Sequence, residues 1–202
     1  KLSLFNWVDN YSMKLKDKII GVLMGGLSSE RDVSITSGSA VLEALQIKGL
    51  KGIGIDASND IAFSLVKNKI DIAFIALHGL YGEDGTIQGL LEYSKIPYTG
   101  TGVLASALTY DKVKSKEILK FNKIPTADYQ VFYRGKAEMQ ELKLSLPVVV
   151  KPSNQGSSIG ITIVKKEKEL EAALELAFSY AKEVLVEKFI EGKLLAIGMN
   201  GE

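Results

Sequence analysis

The residues best suited to chemistry lie together at 148–160, VVVKPSNQGSSIG. Three valines run into Lys151 and Pro152, a polar loop with Gly156 and Gly160 follows, and a second apolar run covers Ile161 to Val164. Two short strands joined by small residues make a flap. Successive backbone N–H groups in such a loop can surround an anion. Ser157 and Ser158 add hydroxyl donors, and Lys151 puts a positive charge at the loop's base. This is the chemistry of a phosphate clamp, suited to an enzyme that uses a nucleotide. The same residues also fit a plain β-hairpin with a Gly/Ser turn. The commoner phosphate motifs are absent. No G-x-x-x-x-G-K-[ST] occurs, and Met24-Gly25-Gly26-Leu27-Ser28 lacks the third glycine of a dinucleotide fingerprint. A P-loop NTPase and an ordinary dinucleotide dehydrogenase are therefore disfavoured.

Composition removes other classes. The 202 residues fit one or two domains at about 100–200 residues each. An apolar content of 46% suffices for buried cores. Basic and acidic residues, 25 against 24, leave a net charge of +1, so a nucleic-acid surface is not indicated. The absence of cysteine excludes disulfides, thiol catalysis and Cys-based zinc sites within the chain. A lone histidine, His78, excludes a multi-His metal site. No apolar stretch approaches the ~20 residues that cross a bilayer, so no membrane partner is expected. Residues 1–12, KLSLFNWVDNYS, lack the features of a secretory signal. Met13, followed by Lys14, Lys16 and Lys18, looks like a natural start. Residues 1–13 therefore read as an extension or expression remnant. The alternative is an ordered element packing through Leu4, Phe5 and Trp7. A cytoplasmic enzyme is the default expectation.

The elements that must position these residues can be read from periodicity. Ile19 to Leu23 is a buried strand that stops at Gly25-Gly26. Helical spacing follows in Val33, Ile35, Ala40, Val41, Ala44 and Leu45, ended by Gly49. Gly52 to Asp56 reads as a second strand, Ile61 to Val66 as a short helix, and Asp71 to Leu77 as a third strand. That strand enters a loop with Gly79, Gly82 and Gly85; a helix over Thr86 to Tyr93 and a short strand over Ile96 to Thr99 follow. Such alternation implies a parallel sheet with helices on both faces, with function at the carboxyl ends of its strands. The pattern changes near residue 111. Lys112 to Phe121 reads as a charged amphipathic helix, Ala127 to Phe132 as a strand, and a helix is expected around 136–143. After the flap come a helix over Glu167 to Tyr180, with Leu170, Ala173, Leu174, Ala177 and Phe178 on one stripe, and a strand over Val184 to Phe189. Leu194 to Met199 reads as another strand entering an Asn200-Gly201 hairpin turn. A strand with no partner after it suggests a truncated fold.

Five motifs in order carry a resemblance. They are GGLSSERDVSITSG at 25–38, ALHGLYGEDGTIQGLLE at 76–92, PYTGTGVLASALTYDKVKSK at 97–116, VVVKPSNQGSSIG at 148–160 and VEKFIEG at 186–192. Together, over roughly residues 14–193, they resemble the D-alanine–D-alanine ligases, an ATP-grasp family of cell-wall synthesis. The resemblance implies an N-terminal α/β substrate domain at 14–110, of Rossmann-like pre-ATP-grasp type. It further implies a small α+β ATP-grasp lobe at 111–193, with 194–202 beginning a C-terminal lobe that is otherwise missing. The implied reaction is ATP-dependent ligation of two D-alanines through an acyl phosphate, for peptidoglycan and hence cell shape. Mg2+ is the implied cofactor, with its ligands outside this chain, and a homodimer is the family habit. An incomplete chain would be inactive alone. A non-catalytic nucleotide-binding module, split or decayed, and another ATP-grasp carboxylate–amine ligase are the alternatives; Glu30 in its Ser-Ser-Glu-Arg setting argues against the last.

The resemblance also implies roles. Glu30 matches the glutamate that holds the first D-alanine's ammonium; without it, Glu30 reads as a surface residue at a helix start. Ser34 and Ser37 would cap or support that helix. His78 matches a histidine near the first substrate, and Glu83 would orient the loop or the substrate. Lys112 and Lys151 match two phosphate-contacting lysines. Gly156, Ser157 and Ser158 match the loop that closes on the phosphates, and Ser157 also matches a catalytic serine linked to Glu30. Glu187, Lys188 and Ile190 match the adenine hinge. The family pattern has a ribose-binding glutamate two residues after the glycine, but Gly192 is followed here by Lys193 and Leu194.

Overall fold

The computed structural model describes residues 15–136 and 141–198. The expectations for residues 1–13 and for the Asn200-Gly201 turn lie outside them. The chain divides into two compact units, between Ser115 and Lys116.

The first unit is built on a parallel sheet, β1 (Ile19–Met24) between β2 (Lys51–Asp56) and β3 (Ile72–Ile75). β1 reads IIGVLM because both its faces are covered, which demands a continuous apolar run rather than alternation. One face carries α1 (Arg31–Ile47), whose Leu42 and Leu45 lie over Gly52 and Gly54 of β2. The other carries α2 (Ile61–Lys67) and α3 (Thr86–Tyr93), whose Leu65, Ile87 and Leu91 pack with Leu23, Ile55 and Ala73. The apolar stripe expected for α1 is rotated. Val33 and Ile35 are exposed, while Ser34 and Gly38 are buried against the sheet. The helix lies so close that a Cβ at Gly38 would sit 2.5 Å from Met24 Cβ. The strand expected at Ile96–Thr99 is a single parallel bridge, Ala73 to Tyr98. Pro97 has no N–H to extend the ladder. A helix that periodicity did not reveal, α4 (Val103–Tyr110), precedes α5 (Lys112–Phe121). Asp111 caps α5, its Oδ1 accepting from the N–H groups of Val113 at 2.9 Å and Lys114 at 3.0 Å.

The second unit is an antiparallel sheet of β4 (Tyr129–Tyr133), β5 (Val148–Pro152), β6 (Thr162–Val164) and β7 (Glu183–Lys188), in the order β4-β7-β5-β6. After a 3-10 turn at 167–169, α6 (Leu170–Tyr180) lays Ala173, Leu174 and Ala177 over Val148, Val150, Val184 and Val186. The helix expected around 136–143 falls partly on residues outside the described ones, and residues 141–143 are not helical. The strand expected from Leu194 is absent through Gly198. Leu194, Leu195 and Ile197 are all exposed, and among the described residues no strand lies beside them to take their backbone bonds. No described helix is long and apolar enough to cross a membrane.

Candidate functional site

In the first unit, two turns meet at the carboxyl edge of the sheet. Gly25 and Gly26 leave β1 with φ of 73° and 82°, values that favour glycine. Asp56 at the end of β2 fixes them. Its Oδ1 accepts from the Gly26 N–H at 3.1 Å and from Arg31 Nη1 at 2.8 Å. The Arg31 hydrogen bond holds the Asp56 carboxyl below its ordinary value, against the effect of burial. Ser28 Oγ then crosses to the exit of β3, donating to the His78 carbonyl at 2.8 Å and accepting from the Glu30 N–H at 3.1 Å. Ser34 and Ser37 make no helix cap. Ser34 Oγ donates to the Ala76 carbonyl at 2.7 Å, and Ser37 Oγ lies 3.2 Å from His78 Nε2. Both belong to the face of α1 that looks onto the end of β3, so they tie the two turns together.

This network brings three candidate residues together. Glu30, immediately before α1, extends its carboxylate over Gly79, where a Cβ would meet Oε1 at 2.8 Å. The Gly79 N–H donates to Glu83 Oε2 at 3.0 Å. His78 sits between them in the chain, its ring held by Ser37. Asp84 accepts from the Tyr81 and Thr86 N–H groups, at 3.1 and 3.0 Å, and so anchors the start of α3. The site thus offers carboxylates and an imidazole, which suit an ammonium ligand. Beside it a cavity of about 230 Å³ opens between Gly26, Ala57, Leu77 and Ile87, apolar enough for a small side chain. Sequence reasoning missed Tyr110, at the end of α4. Burial first, then the charges of Asp84, Glu83 and Glu30, pushes its phenol up to about 12.

The second unit carries its own polar cluster. β5 pairs Val149 with Glu187 and Lys151 with Leu185. Lys151 and Glu187 are therefore diagonal neighbours on one face, opposite the valines that pack under α6. Lys151 Nζ donates to Glu187 Oε1. The other oxygen, Oε2, takes Lys116 of α5 at 2.9 Å. Burial would push the Glu187 carboxyl up; the bonds from Lys116 and Lys151 outweigh it and hold the group below its ordinary value. Lys116 was not singled out in the sequence. Its signal was there: with Val113 and Leu119 it occupies the inward stripe of α5, where a lysine is out of place.

The loop after β5 departs from a plain hairpin turn. Ser157, Ser158 and Gly160 have φ of 48°, 62° and 69°. These left-handed residues fold the loop into successive turns, with the Ile159 N–H donating to the Gly156 carbonyl at 3.1 Å and the Ile161 N–H to the Ser158 carbonyl at 3.3 Å. Ser157 and Ser158 are exposed, and Gly156 is half-buried. Lys112 opens α5. Lys188 spends its N–H on the Asp128 carbonyl at 2.9 Å, and Ile190 is exposed beyond β7. Among the described residues no three His, Asp or Glu side chains gather as a metal site, so no residue is assigned to magnesium.

Comparison with known proteins gives one answer. Residues 53–101 match the family model of the D-ala D-ala ligase N-terminus, and residues 118–202 that of the D-ala D-ala ligase C-terminus. A D-alanine–D-alanine ligase of Geotalea uraniireducens is 56% identical over 187 residues, covering 92% of this chain and 60% of the relative. The D-alanine–D-alanine ligase of Bacillus anthracis complexed with ATP superposes with a TM-score of 0.71 at 38% identity, over 87% of this chain and 60% of that one. The VanG D-Ala:D-Ser ligase of Enterococcus faecalis gives 0.74 at 34% identity, over 87% and 64%. The chain spans about 60% of the length of the curated relatives it matches.

Proposed function

This chain belongs to the D-alanine–D-alanine ligase family, and we propose from that premise that it serves ATP-dependent joining of two D-alanines through an acyl phosphate. The observation that carries the reading is Glu30 held over Gly79, beside His78 and Glu83, at the carboxyl edge of the parallel sheet. A carboxylate fixed there offers the counter-charge that an amino-acid ammonium needs. The cavity next to it suits a methyl side chain.

In the reaction so proposed, a carboxylate oxygen of the first D-alanine attacks the γ-phosphorus of ATP, and the bond to ADP breaks. The amino group of the second D-alanine attacks the acyl carbon, and phosphate leaves. The residues' share is positional and electrostatic. Glu30 anchors the ammonium, and Ser28 and Ser37 hold Glu30 and His78 in register. Lys151, Lys112 and the 156–158 loop, Ser157 included, offer positive charge and N–H or O–H donors to the phosphates. Glu187 accepts from the adenine amino group, with Lys188 and Ile190 along the ring edge. The ATP complex of the Bacillus anthracis relative supports ATP as the donor. Magnesium, a homodimer and a cytoplasmic setting for cell-wall precursor synthesis belong to the same reading.

The test is Glu30→Gln. The variant keeps shape and loses the charge, so the Michaelis constant for the first D-alanine should rise by roughly ten- to a hundred-fold, the worth of one charge-assisted hydrogen bond. ATP affinity should hold. An unchanged constant would remove Glu30 from the site.

A further inference from the structure

Lys116 has no part in that reading, yet it is the more confined cation of the second unit. It is 9% exposed. Its three N–H donors meet three acceptors: Glu187 Oε2 at 2.9 Å, Thr126 Oγ1 at 2.7 Å and the Ala127 carbonyl at 3.0 Å. The Tyr129 ring lies beneath it, 5.7 Å from Nζ to centroid. An ammonium so satisfied has no reason to move. Lys151 is placed differently. It is more exposed, it stands at the base of the 153–160 loop, and it shares Glu187 through the other carboxylate oxygen.

Two lysines against one carboxylate leave this three-residue cluster with one surplus positive charge. If Lys151 were the sole partner of Glu187, any anion that drew Lys151 away would strand a carboxylate only 13% exposed, which is strongly unfavourable. With Lys116 fixed in place, that cost does not arise. We propose that Lys116 is the standing counter-ion of Glu187, which leaves Lys151 free to exchange from Glu187 to a nucleotide phosphate. It is a positioning residue: it acts on the phosphate through Glu187 and Lys151. The inference rests on the nucleotide reading of this unit.

The experiment is calorimetric titration of the purified protein with ATP and with adenosine. The ratio, the dissociation constant for adenosine divided by that for ATP, isolates the phosphate contribution. In Lys116→Met, Glu187 must keep Lys151, and that ratio should fall by about ten-fold or more, one charge-assisted hydrogen bond. Adding Glu187→Gln to Lys116→Met removes the carboxylate that claims Lys151, and the ratio should return to the wild-type range. Glu187→Gln alone, which keeps the shape, should leave the ratio at or above wild type. A purely structural role would weaken ATP and adenosine alike and leave the ratio unmoved. An unmoved ratio in Lys116→Met overturns the proposal, as does a double variant no better than the single or a lowered ratio in Glu187→Gln. Wild-type protein that binds no ATP overturns the nucleotide reading itself, a result distinct from these.

Discussion

The Tyr110 hydroxyl is buried without a hydrogen-bond partner among the described residues, in the field of three carboxylates. An unsatisfied buried hydroxyl costs on the order of 1 kcal/mol or more. Tyr110→Phe removes that group and keeps the ring, so it should raise the unfolding free energy at neutral pH by about 1 kcal/mol. The pH dependence has a definite sign. A phenol whose folded value is raised to about 12 keeps its proton while the unfolded chain, near 10, has lost it. Its contribution is whole below pH ~10 and is lost as pH rises through the folded value. The wild type should therefore lose stability across that window, and Tyr110→Phe should lose less. Urea melts at pH 7 and in the alkaline window decide it; a variant weaker at pH 7, or as alkali-sensitive as wild type, rejects the account. Glu30 and His78 were candidates in the sequence through the motifs that carry the resemblance, and His78 also follows the third strand, where an α/β site is expected. Lys116 left a signal in the apolar stripe of α5, whereas Tyr110 lies on a helix apolar on most sides, where no stripe marks the inward face.

Among the elements, α1 shows how a sheet contact overrides propensity. Its apolar residues Val33 and Ile35 look outward, and it packs through Ser34 and Gly38. Glycine inside a helix ordinarily costs about 1 kcal/mol relative to alanine. At Gly89 of α3 nothing lies within 4 Å of an added Cβ, so Gly89→Ala should stabilise the protein by roughly 0.5–1 kcal/mol. At Gly38 the added atom would stand 2.5 Å from Met24 Cβ and 2.6 Å from Met24 Sδ. A Cβ cannot rotate away, so helix and strand must part. Gly38→Ala should destabilise by about 1–3 kcal/mol, the usual cost of overpacking. Opposite signs for two identical substitutions, read as urea midpoints, are the expected result; equal signs would mean that α1 does not sit this close. Periodicity found α3 and α6 because each has one apolar stripe. It missed α4, Val-Leu-Ala-Ser-Ala-Leu-Thr-Tyr, which is apolar on most sides and so shows no stripe. It proposed a strand at 194–199 from apolarity alone, and a strand also needs a neighbour.

At the scale of the whole chain, the parallel sheet lies in the first unit and the antiparallel sheet in the second, and the unit boundary falls between Ser115 and Lys116. Ion pairs were not legible, since sequence spacing says nothing of partners such as Lys116 and Glu187. Such pairs and backbone bonds should shape the response to acid. Among the described residues four carboxyls lie below their ordinary values, two in each unit. Asp56 is lowered chiefly by Arg31, and Asp71 by the Ile19 N–H and then by Lys18. Glu169 is lowered by the Lys165 and Lys166 N–H groups, and Glu187 by its two lysines over the opposing effect of burial. A depressed carboxyl contributes stability above its unfolded value, near 4, and loses it as pH falls through the folded value. Protonation also leaves 25 basic residues with few counter-charges, so self-repulsion acts in the same direction. The urea midpoint, followed by far-ultraviolet circular dichroism, should fall steadily from pH 5 to pH 3. Asp71 joins the starts of β1 and β3 through Ile19 at 2.8 Å and Lys18 at 3.0 Å. Asp71→Asn should therefore lower the midpoint at pH 7 and shrink the acid loss, because the group that titrates is gone. A midpoint that holds to pH 3 in the wild type, or an acid loss undiminished in Asp71→Asn, would show that these pairs do not govern the acid limit.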